Sequence, residues 1–128
     1  MTTSIAHLPK LKPLFENFYF SLVQILTTHG VQIGVESMFQ PGHSFPHRSQ
    51  YLHVYTIHIT NYNEYSVQLI SRHWDITEAD GTKKVVDGDG VVGEQPLIET
   101  NGIHSYSSFC VLAFPIGMMS GYYNMMRV

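Results

Sequence analysis

Charge is scarce in this chain. Only 13% of its 128 residues are Asp, Glu, Lys or Arg, against about 25% in an ordinary soluble domain. Seven Lys and Arg stand against ten Asp and Glu, a formal net charge of −3. A chain so poor in positive charge is not expected to bind nucleic acid through phosphate neutralisation. Cysteine is scarcer still. Cys110 is alone, which excludes an intramolecular disulfide framework and a multi-cysteine zinc site. No apolar run approaches the ~20 residues that span a bilayer; the nearest, residues 14–26, is interrupted by Glu16, Asn17 and Gln24. No small-residue cleavage site follows it, so it does not read as a signal peptide. A single thiol without an export signal points to the cytoplasm, and the length points to one domain with one core.

What is present is periodicity, of two kinds. Leu11, Leu14, Phe15, Phe18, Leu22, Ile25 and Leu26 recur at three- and four-residue steps, the stripe of an amphipathic helix. Pro13 suits the first turn of that helix and His29-Gly30 its end. Residues 1–27 are therefore expected to form a helical N-terminal extension. From Val31 onward the period is two, with Val31, Ile33 and Val35 alternating with Gln32, Gly34 and Glu36. Strands are likewise expected over residues 51–60, 66–77, 83–86, 97–98, 103–112 and 122–127. Glu78-Ala79-Asp80-Gly81 reads as a hairpin turn with Gly81 at positive φ. In the third strand Val67 and Leu69 fall out of phase with Trp74 and Ile76, so a bulge or change of sheet is expected near Ser71. Short strands at about ten-residue spacing, without crossover helices, specify an all-β antiparallel sandwich or barrel.

Three groups of residues invite chemistry. Gly88-Asp89-Gly90-Val91-Val92-Gly93 matches G-x-G-x-x-G, which cradles pyrophosphate only where a strand precedes the loop and a helix follows it. Here Glu94-Gln95-Pro96 follows, and Asp87 and Asp89 would repel an anion. The ligand-binding candidates of this loop are Gly88, Asp89, Gly90, Gly93 and Glu94, beside the alternative of a structural loop with tight turns. Asp87, Asp89 and Glu94 also supply oxygens for a weak divalent cation that keeps several waters. Their spacing fails the EF-hand pattern, because Val91 stands where an oxygen ligand should be. Of the eight His, His43 and His47 flank Pro46 in a loop, His53 and His58 fall on opposite faces of one strand, and His73 and His104 could meet only through the fold. Structural or surface roles are expected for them. Cys110 alternates into a strand as a small core residue, and no catalytic set is visible. Neither an enzyme nor a bound cofactor is expected.

Several of these stretches together resemble the ApaG (CorD) family. Val67-Gln68-Leu69-Ile70-Ser71-Arg72-His73-Trp74-Asp75-Ile76-Thr77 resembles that family's signature strand, with Arg72, His73 and Trp74 at its centre. The Asp80-Gly81 turn and Gly88-Asp89-Gly90-Val91-Val92-Gly93-Glu94-Gln95-Pro96-Leu97 follow as in the family, and Pro115-Ile116-Gly117-Met118-Met119-Ser120-Gly121-Tyr122-Tyr123 resembles its closing motif. The resemblance covers residues 28–126 and makes residues 28–128 the ApaG domain. It implies a fibronectin type III- or immunoglobulin-like β-sandwich in a bacterial cytoplasmic protein without established catalytic activity. It also implies a genetic link to cobalt resistance and magnesium efflux, a neighbouring diadenosine tetraphosphatase gene, and a pyrophosphate site mapped onto Gly88, Gly90 and Gly93. Related eukaryotic domains imply protein binding. Family members continue into a final strand after the residues matching Gly121-Tyr122-Tyr123, and this chain stops at Val128. A sheet edge left unpaired there invites the N-terminal segment or a second copy in a homodimer. The leading expectation is a non-catalytic module binding an unidentified protein. The alternatives are a Mg²⁺- or Co²⁺-responsive protein and a pyrophosphate-ligand binder.

Overall fold

The period-two stretches become strands, and the computed structural model, which describes Thr2–Ile5 and residues 21–128, arranges them as two facing antiparallel sheets. In chain order the described strands are β1 (Thr2–Ile5), β2 (Ser21–Thr28), β3 (Val31–Phe39), β4 (Tyr51–Asn61), β5 (Val67–Glu78), β6 (Lys83–Asp89), β7 (Leu97–Ile98), β8 (Ile103–Leu112) and β9 (Gly117–Arg127). One sheet runs β2-β3-β4-β8; the other runs β1-β9-β5-β6, with β7 also paired to β5. Two 3-10 turns, Pro41–His43 and Pro46–Arg48, occupy the loop before β4. No helix among the described residues is long and apolar enough to cross a membrane.

Each sheet buries the face that its alternation predicts. Ile33, Ile57 and Ile59 from one sheet meet Leu69, Trp74, Met119 and Tyr123 from the other, all 2% exposed or less. The expected bulge is a register shift between Leu69 and Ser71 against β9. It restores the phase of β5, so that Leu69, Trp74 and Ile76 all point into the core.

The N-terminal expectation needs correction. From residue 21 onward the chain is not helix but β2, in register with β3 from Ser21↔Met38 to Thr28↔Val31. The physical cause lies in His29 and Gly30, whose φ angles of 52° and 74° are both positive. Two such residues form the tight turn of a hairpin rather than the end of a helix. Long cross-strand pairing with β3 then overrides the local three-to-four spacing. Residues 21–27 thus belong to the sandwich instead of an extension. The remaining stripe, Leu11, Pro13, Leu14, Phe15 and Phe18, lies outside the described residues. Thr2–Ile5 pairs with Gly121–Asn124 of β9, so β1 covers part of the outer edge of β9.

One core side chain is out of character. His53 is 1% exposed, its ring centroid 5.2 Å from that of Phe39, and its Nε2 finds no partner among the described residues. Burial lowers its pKa from 6.5 to about 4. The unfolded chain therefore binds a proton near pH 6.5 that the folded chain refuses until about pH 4. The stability contributed by neutral His53 is full above pH 6.5 and lost as pH falls through that window, by up to about 3 kcal/mol. Urea unfolding between pH 7 and pH 4 is expected to give a steeper loss of stability for the natural chain than for His53→Leu. Parallel curves would contradict this.

Candidate functional site

Alternation along β5 sends its signature residues to two different places. Trp74 faces inward, and Arg72 faces inward across from Gly88 of β6. His73 and Asp75 face outward. Two neighbouring sites result, one on the outer face of the sheet and one between the sheets.

On the outer face His73 is held between two carboxylates. Its Nδ1 lies 2.5 Å from Asp87 Oδ1 and its Nε2 lies 3.1 Å from Asp75 Oδ2. The ring stacks on Tyr122 at 4.7 Å between centroids and 13° between planes. Only the protonated imidazole donates from both nitrogens, and the hydrogen bond to Asp87, followed by the interaction with Asp75, raises the His73 pKa above 6.5. The sign is opposite to that of His53. The contribution of this cluster is full below pH 6.5 and is lost as pH rises through the raised value. Asp75 and Asp87 sit on opposite sides of the ring, so they hold a proton rather than a cation.

The candidate cation ligands are not gathered. Asp87 is engaged by His73, Asp89 follows on the same exposed strand face, and Glu94 sits beyond a turn, also exposed. Among the described residues, no group of three or more His, Cys, Asp or Glu could hold a metal ion. His73 and His104 lie in different sheets, His104 being paired with Ile59 of β4.

The glycine loop is turned in on itself. The Gly90 N–H donates to the Ile70 carbonyl at 2.8 Å, Val91 N–H to the Glu94 carbonyl at 2.7 Å, and Glu94 N–H to the Val91 carbonyl at 3.0 Å. Those three amides are spent on protein carbonyls, and β7 follows where a phosphate loop needs a helix. The loop carbonyls have a use instead. Arg72 Nη1 donates to the carbonyls of Asp89 and Gly90 at 3.1 and 2.7 Å. Gly88 makes room for this, since a Cβ there would lie 2.7 to 2.8 Å from the guanidinium. Gly90 has φ +59°, and a Cβ on it would strike the Glu94 carbonyl.

Behind Gly88 the two sheets part. A cavity of about 320 Å³ opens between β6 and β8, floored by Tyr55, Trp74 and Met119 and rimmed by Lys84, Val86, Ser108 and Cys110, with Arg72 at its side. Deeper in, the Tyr106 hydroxyl is hydrogen-bonded to that of Tyr123. Burial holds the phenols of Tyr55, Tyr106 and Tyr123 above their ordinary pKa, and Arg72 opposes the shift in all three. The Cys110 thiol is pushed up to about 11 by burial, which leaves it neutral rather than nucleophilic. The cleft is thus a partly apolar slot with neutral hydroxyls and two cations. Arg72 belongs to the signature strand and Tyr106-Ser107-Ser108 also resembles a family motif, but no motif singles out Lys84 or Tyr55. A signal for Lys84 existed: hairpin pairing about Gly81 sets it opposite Ile76, on the inward face.

Comparison with known proteins follows the same residues. The family model described as the ApaG domain matches residues 41–127. The Protein ApaG of Anaeromyxobacter dehalogenans (strain 2CP-C) is 45% identical over 100 residues, 78% of each chain. That of Proteus mirabilis (strain HI4320) is 43% identical over 101 residues, covering 79% of this chain and 81% of its own. Among solved structures, the crystal structure of a Bordetella pertussis protein described as ApaA superposes with a TM-score of 0.74 at 39% identity. That match covers 76% of this chain and 79% of the other.

Two outcomes are expected from this geometry. Gly88→Ala should evict the guanidinium and cost about 1–2 kcal/mol through its lost carbonyl bonds. Gly90→Ala, with backbone in the way, should cost more than about 2 kcal/mol. Equal tolerance of both in urea unfolding would contradict the packing described. In a histidine NMR titration, Asp87→Asn should bring the His73 pKa down, and by more than Asp75→Asn does. An unchanged midpoint in Asp87→Asn would contradict the outer-face cluster.

Proposed function

The chain belongs to the ApaG family, and from that premise we propose that it is a non-catalytic cytoplasmic module that docks another protein along the β8 margin of its sandwich. One observation carries the reading. Among the described residues β8 is an edge strand of ten residues, and Ile103, Phe109 and Val111 along it are 68%, 67% and 49% exposed. It contains no Asp, Glu, Lys, Arg, Pro or Gly. Natural edge strands are normally guarded by charge, proline, bulges or shortness. β6, the edge of the other sheet, follows that rule with Lys83, Lys84, Asp87 and Asp89. Phe109 also stands in register with Val54 of β4, and Val54 with Met38 of β3. An exposed apolar row of this kind marks an interaction surface.

A neutral Cys110 thiol and the inward-facing loop carbonyls support the non-catalytic part of the reading. The link to cobalt resistance and magnesium efflux then runs through the docked partner, not through a metal held by Asp87, Asp89 and Glu94. The test is site-specific photo-crosslinking in cells producing the full chain, with a photoreactive residue at Phe109 and, as control, at Asp80 in the distant hairpin turn. A discrete adduct with another protein at position 109, absent from position 80, is expected. Identical patterns at both positions would overturn the reading.

A further inference from the structure

Resting on the reading of β8 as a docking edge, we infer that its occupant is an extended peptide segment of the partner protein, which adds to β8 as a further strand and places an acidic side chain in the cleft between β8 and β6.

Unbalanced charge in the cleft is the first ground. The Arg72 guanidinium is partly buried and meets only the Asp89 and Gly90 carbonyls; it has no carboxylate partner among the described residues. Lys84, at the rim of the same cavity, has none there either. Three of the nearby acids, Asp75, Asp87 and Asp89, occupy the outward face of β5 and β6. Glu78 follows Ile76 on the inward face and acts on Cys110 together with Lys84, but its Oε1 accepts the Ala113 N–H at 2.8 Å and it leaves two cations against one acid. A chain of net charge −3 therefore keeps a pocket of positive excess beside Trp74 and Tyr55. Arg72 is partly buried and Lys84 is exposed at the rim, so a carboxylate entering the slot meets a charge-assisted hydrogen-bond donor on either side.

The geometry of the edge is the second ground. An added strand lies about 4.8 Å beyond β8, and its side chains alternate between the two faces of the extended sheet. Those pointing inward enter the gap beneath which Trp74 lies, toward Lys84 and Val86 across it. Those pointing outward lie beside Phe109 and Val111 and favour apolar residues. Backbone pairing supplies affinity for any extended segment, and the cleft selects for acid on one face of it. Free phosphate would satisfy Arg72 but leave the apolar row and the β8 backbone edge unused.

The probe is a blocked peptide of about seven alternating Val and Glu residues, titrated into the full-length chain and followed by amide NMR. Saturable shifts along residues 103–112 and at Lys84 and Val86 are expected. The matching Val/Lys peptide should not bind, and Lys84→Glu should weaken the Val/Glu peptide roughly tenfold. Two forms of that peptide, N-methylated on alternate amides in the two phases, separate strand addition from simple ion pairing. One phase should bind and the other should not, because only one set of amides faces β8. Equal binding by both phases, binding by the Val/Lys peptide, or shifts confined to another face would overturn the inference. So would a β8-to-β8 dimer that refuses the peptide. A Phe109 cross-link without any peptide response overturns this inference alone; loss of both overturns the docking reading as well.

Discussion

The bulge between Leu69 and Ser71 decides what the rest of the molecule can do. Without it the two halves of β5 would be out of phase, and either Leu69 or Trp74 would face water. With it, Arg72 is carried inward together with Trp74 and Ile76, while His73 and Asp75 stay outside. A cation at the inner margin of a sandwich needs acceptors, and the loop after β6 supplies them as carbonyls. Gly88 exists in that arrangement as space for a guanidinium, and Gly90 as a turn that aims its carbonyl inward. The glycine pattern and the signature strand are thus two halves of one contact.

The same partition sorts charge across one sheet. Outward, carboxylates of β5 and β6 trap a protonated His73 under Tyr122. Inward, Arg72 and Lys84 border a slot among aromatic rings. The two histidines at the extremes of this structure titrate in opposite senses, His53 resisting its proton and His73 retaining it. The fold is therefore weakened by acid through its core, while its outer-face cluster is weakened by alkali. Its edges are handled just as unequally: β1 covers part of β9, charges guard β6, and β8 is bare among the described residues.

Much of this was legible in the sequence. Period-two alternation found all or part of each strand from β3 to β9, and the phase error between Leu69 and Trp74 located the bulge, because both signals are local. β6 runs on to Asp89 and β9 begins at Gly117, where glycines hide the alternation. The resemblance carried by Arg72-His73-Trp74 and the glycine motif reached the right family and sandwich. β2 was misread because Leu22, Ile25 and Leu26 satisfy a helical stripe as well as a strand, and only pairing with β3 separates the two. Charge argues against a phosphate loop at Gly88–Gly93, but the loop's contact with Arg72 could not be read, since an arginine reaching 17 and 18 positions along the chain leaves no local mark. Convergence of Asp87, Asp89 and Glu94 was likewise a question of tertiary geometry. There, the strand alternation and the turn at Val91–Glu94 keep them from forming a cluster.

The most direct test is the position of one side chain. Nuclear Overhauser contacts from the Arg72 Hε and Hδ protons, measured on the uniformly labelled chain, report which face of β5 it occupies. Contacts to the Gly88 Hα and to the ring protons of Tyr106 or Tyr123 are expected. Contacts to Tyr122 or Asp87 instead would put Arg72 on the outer face and remove the physical basis for the cleft and for everything built on it.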